Sequence, residues 1–224
     1  MSNPTVSAPN RGINQIMNAD DVGNLFQKNK NLLITLFVLI VVVVIGFGLY
    51  AHFSDQSQIS FNSKIYQFEQ GPLKKYSETG SDVTALIQGF KDLHHSVTNY
   101  VGLLPVVIKT SDALVAHKNL NEALEVLNVG QAIAKNEYHH YFVLARLAAA
   151  YEDLGQDQKA IETLEQMNSS QIKIFEGKNY LDLGRIYLKS GNKEKAKSSF
   201  QYVVDKANGE AEFVKIAKLY LGKM

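Results

Sequence analysis

Two stretches decide how this chain is read: Leu144-Ala145-Arg146-Leu147-Ala148-Ala149-Ala150-Tyr151-Glu152-Asp153-Leu154-Gly155 and Tyr180-Leu181-Asp182-Leu183-Gly184-Arg185-Ile186-Tyr187-Leu188-Lys189-Ser190-Gly191. Each begins with Leu or Tyr, has Leu three residues on, then a small residue (Ala148, Gly184), then Tyr (Tyr151, Tyr187) and finally Gly (Gly155, Gly191). In both copies an Ala follows the Gly at the same distance (Ala160, Ala196), and Leu164 or Phe200 comes one helical turn later. A shared small, Tyr, Gly and Ala register in two copies points to a repeated supersecondary unit, against a helical bundle with incidental alignment.

The pattern resembles the tetratricopeptide repeat, a hairpin of helices A and B. The chemistry agrees with the resemblance. Small residues belong where paired helices approach most closely, Tyr and Leu or Phe fill the seams, and Gly after helix A suits a turn with positive φ. The register extends outward. Ala123 and Leu127 repeat the helix B pattern, so the alanines fall at 123, 160 and 196 and the Tyr series at 151, 187 and 220, near the ~34-residue period of such arrays. An upstream copy is degenerate, with Ser111, Leu114 and Lys118 in the small, Tyr and Gly places and a helix A over Leu103 to His117. Phe213 to Leu221 reads as a lone helix A that covers the open face of the last repeat, as array ends require. The expectation is about three hairpins plus a capping helix over residues 101–224.

The N-terminal part is different. Leu32 to Ala51 reads LLITLFVLIVVVVIGFGLYA, with no charge and only Thr35 and the Tyr50 hydroxyl polar. Twenty residues at ~1.5 Å rise span about 30 Å, the thickness of a bilayer core. A helix apolar all round is expected in lipid, since a small domain cannot wrap it. The long preceding segment and the lack of a cleavage site outside the run favour an uncleaved anchor over a signal peptide. Arg11, Lys28 and Lys30 precede the span, and the next cation is Lys64. That asymmetry favours the short tail inside and the bulk of the chain outside, which for a bacterial inner membrane is the periplasm. The expected organisation is a disordered tail over 1–27 with a short interfacial turn near Asn18 to Phe26, an anchor over 28–54, membrane-proximal helices and linker over 55–100, and the repeats. A helix is expected to run on through Phe61 and Phe68 and to end at Gly71-Pro72. A second spans Asp82 to Val97, with Val83, Leu86, Ile87, Phe90 and Leu93 on one face. Asn119, Gly130, Gly155, Gly177, Gly191 and Gly209 read as helix stops. The fold class is thus all-α: one N-terminal transmembrane helix, then a tetratricopeptide-repeat-like hairpin array.

Composition excludes much chemistry. The chain has 224 residues and no Cys, which removes disulfides, thiolate zinc ligands and a cysteine nucleophile. With 23 Lys plus Arg against 22 Asp plus Glu, it lacks the basic excess of a general nucleic-acid binder. The 46% hydrophobic content divides between one span and a core. His94-His95 and His139-His140 are adjacent pairs, which diverge by about 100° on a helix and cannot face one metal. There is no HExxH, no glycine-rich phosphate loop and no GxSxG motif. No catalytic residue, metal site or cofactor is expected. Asn168-Ser169-Ser170 matches a glycosylation sequon.

The resemblance also implies a site. Repeats of this kind line a concave groove with positions two, five, nine, twelve and thirteen of helix A. The register puts Pro105, Ile108, Asp112, Val115 and Ala116 there in the first repeat. The second repeat contributes Phe142, Ala145, Ala149, Glu152 and Asp153, and the third Lys178, Leu181, Arg185, Leu188 and Lys189. The groove is expected to be apolar with a few acids at first and cationic in the third repeat, holding an apolar peptide by packing and by steering. Ile108, Asp112, Ala145 and Ala149 stand where carboxylate-clamping relatives carry Lys and Asn, which argues against a chaperone-tail adaptor. Across nearly the whole chain, the order of tail, anchor, membrane-proximal helix and small array resembles the bacterial ancillary SecYEG translocon subunit family (YfgM type). That resemblance implies an inner-membrane protein with a periplasmic array. Its partners would be the SecYEG translocon and a membrane-anchored periplasmic chaperone, and it would assist newly exported proteins. Two other readings stay open: a scaffold subunit of a cell-envelope complex, and an N-anchored organelle import receptor with cytosolic repeats.

Overall fold

The computed structural model describes residues 29–98, 100–207 and 209–224; the expected tail and its interfacial turn lie outside them. Among the described residues there are ten α-helices and no strand. The chain divides into two compact units, residues 1–58 and 59–224.

In the first unit, α1 (Lys30–Phe68, which runs on into the second unit) contains one stretch long and apolar enough to cross a membrane, Lys30–Tyr50. None of that stretch is buried by protein. Its Thr35 hydroxyl donates to Asn31 O at 2.9 Å, so this polar side chain is satisfied within the helix, as a segment in hydrocarbon requires.

The second unit begins with the end of α1, where Phe61, Ile65 and Phe68 join the core and the Phe68 and Phe90 rings meet edge to face at 6.2 Å. The helix does not stop at Gly71-Pro72. Proline lacks an N–H and crowds the preceding turn, and the chain absorbs it by widening into a π turn over Glu69–Leu73, with Lys74 N–H donating to Glu69 O. Helix α2 (Lys74–Thr79) follows and ends at Gly80, φ 66°. Helix α3 (Val83–Ser96) opens with the Asp82 carboxylate accepting from Ala85 N at 3.1 Å and buries Leu86, Ile87, Phe90 and Leu93.

Three hairpins then stack: α4 (Leu104–Ala116) with α5 (Leu120–Ile133), α6 (Glu137–Asp153) with α7 (Asp157–Ser169), and α8 (Glu176–Lys189) with α9 (Lys193–Lys206). Helix α10 (Ala211–Leu221) packs on α8 and α9, and its Tyr220 ring stacks on Phe200 at 4.7 Å. Lys118, Gly155 and Gly191 end the three A helices with φ of 64°, 70° and 80°. Two expected stops are corrected. Gly130 lies inside α5 and Gly177 in the first turn of α8, and both are buried. A Cβ would come 2.7 Å from Val107 Cγ1 at the first and 2.6 Å from Ala207 Cβ at the second. These glycines let neighbouring helices approach; they do not turn the chain.

Candidate protein-interaction groove

The small residues set the helix spacing. Ala123, Ala160 and Ala196 are fully buried, as is Ser111, and Ala148 is nearly so. Gly184 lies so close to Phe200 that an added Cβ would be 2.5 Å from a ring carbon. Leu183 and Tyr187 are buried, with Tyr151 half-buried against the same core. With the hairpins held this close, α4, α6 and α8 run side by side and carry the residues placed in the groove by register.

Between the N-terminal halves of α4 and α6 lies an apolar cavity of about 370 Å³, lined by Val101, Leu104, Pro105, Ile108, Phe142 and Arg146 among others. Phe142 is 48% exposed at its rim. His139 also lines it, and its Nδ1 is buried without a hydrogen-bond partner. A second, smaller cavity of about 150 Å³ lies between α6 and α8 and brings Ala145, Ala149 and Glu152 together with Lys178 and Arg185. Leu181 is buried in the core, outside both cavities. Asp112 and Lys189 sit at the margins as ion-pair partners.

The charges of the groove are arranged across repeats. Arg146 holds Asp112 through Nε at 2.8 Å and Nη2 at 3.1 Å. Arg185 grips both carboxylate oxygens of Glu152 and reaches Asp182 at 3.4 Å. Lys178 pairs with Asp182 at 2.6 Å and Lys189 with Asp157 at 2.7 Å. The Glu152 hydrogen bond holds the Arg185 proton more tightly than on a free guanidinium. The third repeat therefore does not present the free cationic surface expected from its composition. Each cation at its groove positions has an acidic partner, and the apolar part of the groove is the cavity between α4 and α6.

Sequence reasoning missed Arg146, His139, Asp157 and Asp182. Arg146 and Asp157 had a detectable signal. Asp112 and Arg146, Glu152 and Arg185, and Asp157 and Lys189 are opposite charges 34, 33 and 32 residues apart, one repeat length in each case. Away from the groove, both amide atoms of Asn168, in the sequon, are shielded from solvent.

A family model described as a tetratricopeptide repeat-like domain matches residues 24–221. No curated protein and no solved structure matches the chain. The chain belongs to the tetratricopeptide repeat-like domain family, and its array is a protein-interaction module.

Proposed function

We propose that this protein is a single-pass inner-membrane protein whose array faces the periplasm and receives apolar segments of newly exported polypeptides beside the SecYEG translocon, together with a membrane-anchored periplasmic chaperone. The observation that carries this reading is the apolar cavity between α4 and α6, open at Phe142, in a groove whose cations are already paired. Such a surface suits an uncharged apolar segment recognised by packing, because paired charges add little attraction for a ligand and neutral contacts are insensitive to salt. The apolar Lys30–Tyr50 helix supports residence in the membrane where such chains emerge.

The test is a photocrosslinker at Phe142 in native membranes. Translocon components and nascent exported chains are the expected products, and recovery of an envelope machine with neither of them sinks the reading. With an uncharged Leu- and Phe-rich peptide as probe, Phe142→Ser should weaken binding tenfold or more, about 1.4 kcal/mol, with affinity unchanged between low and high salt. A steep salt dependence would show that free charge, not packing, holds the ligand.

A further inference from the structure

Between α4 and α9 the exposed large apolar side chains are not scattered. A chain of contacts ties the first turns of the A helices into one edge. The Phe61 ring meets Tyr100 at 5.2 Å, and the Tyr100 hydroxyl donates to Asn62 at 3.0 Å just before α4. Val101 and Phe142 share a cavity, which joins the starts of α4 and α6. The Glu137 carboxylate at the start of α6 accepts from Ser170 Oγ at 2.6 Å and Ile172 N at 3.2 Å, fixing the loop that leads into α8. The Tyr141 hydroxyl donates to Asn179 at 3.4 Å, and Gly177 N donates to Glu210 at 2.9 Å, which brings in α8 and the segment before α10.

Every large apolar side chain exposed between α4 and α9 lies on this edge: Tyr138 at 57%, Phe142 at 48% and Phe175 at 58%. Between α4 and α9 the opposite edge, formed by the turns at Lys118, Gly155 and Gly191, carries none among the described residues; beyond α9, Ile216, Leu219 and Met224 are exposed as well. Phe175 is held in the left-handed region, φ 47° and ψ 44°, a conformation that disfavours bulky side chains, and its ring is still presented to solvent. Exposed Lys135 and Lys173 flank these rings; Lys173 donates to Asn168 O at 2.6 Å and pairs with Glu176 at 3.4 Å.

We propose that this edge is a lipid-facing surface, with Tyr138 and Phe175 seated in the headgroup region of the bilayer and Lys135 beside the phosphates. The proposal rests on the membrane-anchored reading above. The covalent chain argues for lipid as the occupant. Ile59, 66% exposed, opens the unit only nine residues after Tyr50, the end of the apolar span. Nine residues reach at most about 30 Å in any conformation, and Phe61 and Asn62 belong to the edge itself. Aromatic rings with neighbouring lysines are the composition that settles at a membrane interface.

The chain has no Trp, so a single introduced indole reports alone. The full chain carrying Tyr138→Trp, Phe175→Trp or, on the opposite edge, Ser190→Trp is reconstituted in phosphatidylcholine–phosphatidylglycerol vesicles with acyl chains brominated near the headgroup. Circular dichroism verifies that each variant folds. The expected result is that the indoles at 138 and 175 lose most of their emission and shift to the blue, while the one at 190 is unaffected. Unquenched indoles at both edge positions, or equal quenching at 190, overturn the proposal while leaving the anchor intact. Protection of position 175 from iodide by an added unfolded polypeptide, without quenching by bromolipid, makes the edge a protein surface and also overturns it. Release of the chain from vesicles by alkaline carbonate overturns the anchor reading and this inference together.

Discussion

Gly184→Ala isolates the contact on which the hairpin spacing depends. Gly184 lies in the interior of α8. There an alanine gains about 1 kcal/mol of helix propensity, so without tertiary constraints the substitution would stabilise. The tertiary structure reverses the sign. The new Cβ would lie 2.5, 2.7 and 2.9 Å from three carbons of the Phe200 ring. That ring cannot swing aside, because it is fully buried and stacked on Tyr220 with an interplanar angle of 4°. Overpacking of this kind costs about 1–3 kcal/mol, here toward the upper part of the range, which leaves a net loss of about 1–2 kcal/mol after the propensity gain. In a unit of this size 1 kcal/mol moves Tm by about 2–4 °C, so a fall of about 2–8 °C is expected by circular dichroism. Gly89→Ala in α3 is the internal control. Its Cβ would meet nothing nearer than 3.5 Å, so it should raise Tm by about 1–4 °C. Phe200→Leu in the Gly184→Ala background should recover part of the loss, giving a coupling energy of about 0.5–3 kcal/mol. If Gly184→Ala raises Tm as Gly89→Ala does, the close approach is not what holds a small residue in that position.

Arg185→Ala should lower stability by about 1 kcal/mol, since it removes a partner that holds both carboxylate oxygens of Glu152; Lys189→Ala, which breaks one bond from a half-exposed amine to Asp157, should change Tm by no more than the assay error. Equal effects of the two would show that the Arg185 pair is an ordinary surface contact. Burial, together with its hydrogen bond to Glu165, pushes the Tyr187 hydroxyl up to about 12, and burial does the same to Tyr202 beside Glu176. The unfolded chain releases these protons near pH 10, so the stability they contribute is complete below pH 10 and is lost as pH rises toward 12. Tyr187→Phe should flatten the fall of Tm between pH 10 and 12, and Tyr187→Phe with Tyr202→Phe should flatten it further; an unchanged slope in the double variant would refute the assignment.

The helical class, the apolar span and the repeat register were legible in the sequence because each is a local pattern. The Gly155 and Gly191 positions mark helix ends through a backbone conformation that one residue type adopts at no steric cost, and the spacing of Ala123, Ala160 and Ala196 carries the hairpin period. The same local logic misread Gly130 and Gly177, because a glycine kept for close approach looks in sequence like a glycine kept for a turn; only the neighbours Val107 and Ala207 tell them apart. It misread Pro72 as well, because a π turn lets the chain pass a proline at a cost that depends on the packing of the flanking helices.

The groove shows the division most clearly. Sequence register was enough to nominate Ile108, Phe142, Arg185 and their neighbours, since position along a helix fixes the face a side chain occupies. It could not show that Arg185 and Arg146 are committed to acids one repeat earlier, nor that Tyr138 and Phe175 belong to one edge with Phe61 and Asn62. Charge pairing and surface continuity depend on distances between residues far apart in the chain, and those distances exist only once the small residues have brought the helices together.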